Sequence, residues 1–240
     1  REIKRRFPRM IRRVSGYGLD ALIDPRTVDL TRLVCGSEGT LAVVTRAEFL
    51  LQELPEARAL ASFQFESLTA AARVTVELLK EDPSGVELLD DVAINRARSN
   101  PAYRDSTRFV QGDPKALLLV EWSGAESELD ERFDKLDDLA EKVGAGVAVP
   151  LRSAFEMAQT VKLRKSTLPL LLGTTEEEKP VAFVEDAAVP PERLEEFVRR
   201  FEEIVADNDT WACFYGHASV GSDHDPAAMI CASVYLLFFI

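Results

Sequence analysis

The chain has 240 residues, 46% of them hydrophobic, and a formal charge of −12 at pH 7. That length can bury a sizeable core in one or two domains. The acidic balance argues against a nucleic-acid partner, because affinity for a phosphate backbone comes from counterions released at basic patches. Three widely spaced cysteines, Cys35, Cys213 and Cys231, make neither a disulfide framework nor a zinc knuckle, so a reducing, intracellular setting is expected. There is no signal peptide at the start and no apolar run long enough to span a bilayer. Lys4, Arg5, Arg6, Arg9, Arg12 and Arg13 form the one basic cluster, which reads as a solvated turn or element edge. The chain opens on Arg1 inside that cluster, and both ends read as cut or altered.

Val14 to Asp20 is a glycine-punctuated bend. Leu30 to Cys35 reads as a short buried strand, Gly36-Ser37-Glu38-Gly39-Thr40 as a turn, and Leu41 to Leu51 as a returning β-rich run. Strands are expected over Ala59–Phe65, Val86–Leu89 and Ala116–Trp122, with an Ala-rich helix over Ser67–Lys80. Ser127 and Asp130 resemble a capping box. Behind them Leu129, Phe133, Leu136, Ala140 and Val143 keep to one helical face, which Gly144 terminates. A second amphipathic helix runs from Pro191, with Leu194, Phe197, Val198, Phe201, Ile204 and Val205 facing inward. Strands Val181–Val184 and Trp211–Tyr215 flank it. This order predicts an α+β fold with helices on one face of a sheet. The apolar end, Met229 to Ile240, would invite edge pairing if exposed.

Four groupings can carry chemistry. His217 and His224, the two histidines of the chain, bracket a bend of small residues behind an apolar strand, which suits a strand delivering one metal ligand and a loop returning the other. The two glycines of Gly36-Ser37-Glu38-Gly39 could turn successive N–H groups toward one point, although the residues alone favour an ordinary hairpin turn. Arg164, at the end of an expected helix, could grip a carboxylate through two parallel hydrogen bonds, or be a surface charge. Glu185 and Asp186 close a strand, and Asp186 serves either a ligand or the N-terminus of the following helix.

Ser15-Gly16-Tyr17-Gly18-Leu19-Asp20, Gly36-Ser37-Glu38-Gly39-Thr40-Leu41-Ala42-Val43-Val44-Thr45, Glu87-Leu88-Leu89-Asp90, Glu185-Asp186-Ala187-Ala188-Val189-Pro190 and Tyr215-Gly216-His217-Ala218 occur in one order. In that order they resemble the FAD-linked oxidases of the D-lactate dehydrogenase and glycolate oxidase type. The resemblance is nearest to large members with an appended iron–sulfur domain and covers residues 1 to about 224. It implies that residues 1–55 close a PCMH-type FAD-binding domain. Residues 56–240, incomplete after about 224, would form a ferredoxin-like antiparallel-sheet cap domain over the substrate pocket. FAD would be contacted by Gly36, Ser37, Glu38, Gly39 and Val43. A divalent metal, Zn or Mn, would sit on His217 and His224, and Arg164 would bind the substrate carboxylate with Lys179 as a further candidate.

The implied reaction is oxidation of a D-2-hydroxy acid to the 2-oxo acid with hydride transfer to FAD. Arg164 fixes the carboxylate and the metal polarises the hydroxyl. The proton acceptor stays open between a histidine and a metal-bound hydroxide. The implied partners are a small 2-hydroxy acid and an electron-acceptor or iron–sulfur domain, at a cytoplasmic site or one peripheral to the inner membrane face. Two departures accompany the match: most of the FAD domain lies outside the chain, and residues 225–240 follow no family pattern. Weak or absent FAD binding and an inactive isolated chain are therefore expected. A non-catalytic α+β assembly module is the alternative.

Overall fold

The residues described by the computed structural model, 2–7, 16–51, 53–174, 179–220 and 232–239, fall into two units, Arg1–Leu54 and Pro55–Ile240. In the first unit, helix α1 (Glu2–Arg6) starts on an acid that pairs with Arg5 at 2.8 Å and Arg6 at 3.0 Å. Leu30–Val34 is a helix, α2, and not the strand expected from its apolar run. The cause is Asp29, whose carboxylate accepts from the N–H groups of Thr31 and Arg32 and so satisfies donors that only a helix start would leave free. Gly18 lies under this helix: a Cβ there would come within 2.4 Å of the Arg32 carbonyl oxygen. Residues 41–51 are exposed and form no strand. β-rich sequence becomes a strand only with a ladder partner, and among the described residues this run has none.

The second unit is built on one antiparallel sheet. Its elements are β1 (Ala57–Phe65), α3 (Leu68–Leu79), β2 (Gly85–Asp90), α4 (Asp91–Ser99), β3 (Ala116–Gly124), α5 (Glu126–Phe133), α6 (Leu136–Val143), β4 (Val147–Leu151), α7 (Ala154–Leu172), β5 (Pro180–Val189), α8 (Leu194–Asp207), β6 (Trp211–Val220) and β7 (Ala232–Phe239). The seven strands lie in the order β4-β1-β3-β2-β6-β7-β5. The first four reproduce the split βαβ arrangement of ferredoxin-like folds, with β3 inserted between β1 and β2. β6 then pairs with the free edge of β2, and β7 lies between β6 and β5. The apolar end of the chain is therefore an interior strand, not an open edge.

Helices cover both faces of this sheet, where one face was expected. Along β3, Ala116, Leu118, Val120 and Trp122 point into a core closed by α3, α5, α6 and α8. The alternate residues Leu117 and Leu119 join Leu89 and Cys213 in a second core under α4 and α7. A strand apolar on both sides requires this double cover. The predicted single helix after Ala125 is two: α5 has no side-chain cap, so Ser127 and Asp130 make no capping box, and the chain breaks before α6. Its inward face holds nonetheless, with Leu129, Leu136, Ala140 and Val143 buried and Gly144 left-handed at φ 68°. On α8, Leu194 and Val198 are buried, but Ile204 sits at the margin of the apolar stripe and is exposed.

Asp90 ties three elements together. Its Oδ1 accepts from the Ala93 N–H at 3.0 Å, capping α4, and from the Cys213 thiol at 3.2 Å; Oδ2 accepts from the Phe214 N–H at 2.5 Å. Burial pushes this carboxyl up to about 7 against the pull of those donors, and burial beside Asp90 raises the Cys213 thiol. A proton held more tightly in the folded state adds stability that is complete at low pH and lost as pH rises toward the raised value. Urea unfolding of wild type and Asp90→Asn from pH 4 to 8 should show wild type losing on the order of 4 kcal/mol relative to the variant as pH rises to about 7. A difference that stays flat with pH contradicts this.

Candidate functional site

Pairing between β2 and β6 slips by one residue beside the site. Val86 faces Ser219 but Glu87 faces His217, leaving Ala218 as a bulge. Bulges re-aim side chains. Here Ala218 turns into the first core, while His217 keeps the parity of Cys213 and Tyr215 on the α7 side of the sheet. Glu87 shares that side with Leu89. The strand therefore sets a carboxylate and an imidazole directly opposite each other, where cross-strand side chains approach most closely.

Arg164 completes the cluster from α7. A reciprocal capping box begins this helix: the Ser153 hydroxyl accepts from the Glu156 N–H at 3.2 Å, and the Glu156 carboxylate accepts from the Ser153 N–H at 3.0 Å. Thr160, Leu163, Thr167 and Leu171 face inward. Arg164 lies mid-helix, not at its end as expected, on the flank of that stripe. Its Nη2 forms an ion pair with Glu87 Oε1 at 2.8 Å, and His217 Nδ1 lies 2.6 Å from the same oxygen. Arg164 Nη2 is also within hydrogen-bonding distance of His217 Nδ1, at 3.0 Å, a contact to which the guanidinium can only donate. The Glu87 and His217 side chains are 17% and 19% exposed and that of Arg164 43%, so the cluster is a half-buried pair with the arginine at its mouth. Neighbouring Lys162 is engaged elsewhere, donating to the Ala102 carbonyl at 2.7 Å over the Tyr103 ring.

The structure thus brings Arg164 and His217 together and adds Glu87, which was quoted within a motif but assigned no role. Its one legible signal was a carboxylate at an inward position of an otherwise apolar strand. Lys179 is elsewhere. It donates to the Thr174 carbonyl at 3.0 Å, and the next residue, Pro180, pairs with Phe239, which pairs with Trp211. Trp211 and His217 are six positions apart on β6, roughly 20 Å along the sheet. His217 lies within β6, as the reading of a strand delivering one histidine expects, and His224 is outside the described residues. Among the described residues no three His, Cys, Asp or Glu side chains cluster as a metal site. Asp186 lies within β5.

In the first unit the Gly36–Val43 segment follows a helix, not a strand. The Thr40 N–H donates to the Ser37 carbonyl at 2.9 Å across Glu38 (φ 51°) and Gly39 (φ 74°), the pattern of a type I′ turn. Ser37 is buried, whereas Glu38, Gly39 and Val43 are exposed.

Residues 54–230 match the family model of FAD linked oxidases, C-terminal domain. The chain belongs to this family. It is similar to D-2-hydroxyglutarate dehydrogenase of Pantoea ananatis (28% identity over 95% of this chain and 24% of that protein) and of Escherichia coli (29% over 94% and 24%). It is also similar to the glycolate oxidase subunit GlcD of Bacillus subtilis (29% over 82% and 40%). The chain spans about a quarter of the length of the D-2-hydroxyglutarate dehydrogenases it matches. Among solved structures, an alkyldihydroxyacetonephosphate synthase shares the fold with a TM-score of 0.54 at 18% identity, covering 86% of this chain and 41% of that one. No described helix is long and apolar enough to cross a membrane.

Because Arg164 is substantially exposed, its ion pair with Glu87 is worth little to the fold. Arg164→Met should change the unfolding free energy by less than about 1 kcal/mol, measured by urea titration. A larger loss would mark Arg164 as a structural strut.

Proposed function

We propose that the second unit forms the substrate side of a flavin-dependent oxidoreductase that oxidises a D-2-hydroxy acid to the 2-oxo acid. The observation that carries this reading is the pairing of Arg164 with His217 through Glu87: an anion grip and an imidazole side by side at the mouth of a half-buried cluster. Membership of the FAD-linked oxidase family and the names of the relatives support it.

In this reading Arg164 turns part of its fork from Glu87 to the substrate carboxylate and fixes its orientation. His217 then lies beside the 2-hydroxyl, with Nδ1 facing Glu87 and Arg164 and Nε2 the ring nitrogen left for a ligand. A divalent ion would be held by that Nε2 together with His224 and would supply Lewis-acid polarisation of the hydroxyl. The exposed N–H groups of Glu38 and Gly39 and the Val43 side chain would hold a flavin edge, and FAD supplies the hydride acceptor. We assign Lys179 no part in this grip, because the register sets it at the far end of β6. Since the chain spans about a quarter of the dehydrogenases it resembles, residues 36–43 carry a minority of the flavin contacts and the chain alone does not turn over.

Titration of the chain with D-lactate and D-2-hydroxyglutarate, followed by NMR at the Arg164 guanidinium and the His217 ring, tests the substrate grip. Shifts at both groups are expected, with affinity falling tenfold or more in Arg164→Met, the loss of about 1.4 kcal/mol or more expected for a charge-assisted contact. Absence of shifts with either acid, or affinity unchanged in Arg164→Met, overturns it. An absorption spectrum from 300 to 550 nm after incubation with FAD and desalting should show no retained flavin band. A retained band would mean that the turn at residues 36–43 binds FAD far more firmly than a minority share allows.

A further inference from the structure

We propose that Asp90 and Cys213 are positioning residues: their contact is a register key that selects His217 as the residue of β6 opposite Glu87. For its bearing on function the inference rests on the reading of His217 and Arg164 given above. In the strand order β4-β1-β3-β2-β6-β7-β5, the β2–β6 ladder relates the first four strands to the last three. Its backbone bonds cannot choose a register, because every N–H and carbonyl along it is alike. Burial chooses only in part. Ala212, Phe214 and Ala218 belong to the first core and Cys213 and Tyr215 to the second, so a slide of one residue would reverse every face. A slide of two residues, roughly 7 Å, keeps each side chain on its face and sets Tyr215 against Glu87.

Asp90 separates those two registers. Backbone pairing of β2 with β6 ends at Leu89 and Tyr215, and the Asp90 carboxyl continues the seam by side chain. Its Oδ2 accepts from the Phe214 N–H at 2.5 Å and its Oδ1 from the Cys213 thiol at 3.2 Å. After a slide, another β6 amide could replace the first donor. Nothing on that face matches the second. The residues two positions away are Trp211 and Tyr215, whose rings are far larger than the fully buried thiol they would displace. A carboxyl as buried as Asp90, at 3% exposure, is a costly group to place there. Coiled coils use a buried polar residue in the same way, fixing the alignment of two chains at a cost in stability. Here the polar contact aligns two halves of a sheet, and the bulge at Ala218 takes up the mismatch with the pair Val86 and Ser219.

The test is cross-strand backbone NOEs on the full isotope-labelled chain and three variants. The parent should show Glu87 paired with His217 alone. Asp90→Ser keeps a cap for α4 but is too short to reach β6, and Cys213→Ala removes the thiol donor. In both, the Glu87–His217 NOEs should fall to about half or less as Glu87–Tyr215 NOEs appear, because two registers of similar energy share the population. NOEs between Leu88 and Leu118 should persist, showing that β2 and β3 remain paired as in the parent. Cys213→Ser keeps a donor of similar size and should retain the parent pattern. A single Glu87–His217 register in either folded variant overturns the proposal, and so does Cys213→Ser behaving like Cys213→Ala. If one variant loses the Leu88–Leu118 NOEs, the other decides. Loss in both overturns the proposal, because the pair would then be required for folding and not for register. None of these spectra involves flavin, substrate or turnover, so their failure is separate from a failure of 2-hydroxy-acid binding.

Discussion

Antiparallel pairing of β2 with β6 is the seam on which the second unit depends. On one side of it lie the four strands in split βαβ order, and on the other the β6-β7-β5 half of the sheet. Without this ladder β2 would be an edge and the two halves would share no backbone hydrogen bonds. One end of the seam is locked by Asp90, a buried carboxylate that caps α4 and accepts from the β6 backbone. At the bulge, one turn of the pleat away, the same strands hold Glu87 against His217. The ladder that completes the fold therefore also builds the site.

Two carboxylates three residues apart on β2 serve different ends because their surroundings differ. Asp90 is sealed from water and meets only backbone and thiol donors, so burial dominates and its carboxyl is raised. Glu87 keeps partial access to solvent and meets a guanidinium and an imidazole. Depth in the sheet, rather than residue type, sets the two carboxyl groups apart. The extra residue at Ala218 is what brings the imidazole to Glu87: pairing without a slip would set Glu87 opposite Ala218 and turn the imidazole away.

Regular elements were legible where hydrophobic periodicity was strong. β1, β3, α3 and the inward faces of α6 and α8 all follow the alternation of their apolar residues, and Gly144 ends α6 as its sequence position requires. Misreadings fell where one polar side chain or a distant partner overrode local pattern. Asp29 made a helix of the run at Leu30–Val34, and residues 41–51 had strand composition but no partner. The two-sided cover of the sheet was implicit in the near-continuous apolar run of β3, whose both faces had to be buried.

By itself the sequence determined the class of the chain, the identity of Arg164 and His217 as candidates and the strand that carries the imidazole, because motifs and period-two patterns are local properties of neighbouring residues. Only the tertiary structure decided that these two side chains meet, that Glu87 joins them and that Lys179 lies at the other end of the sheet. Those facts depend on β-ladder register and on where α7 packs. Register across strands more than a hundred residues apart is set by the fit of two buried faces, a condition that no single stretch of sequence contains.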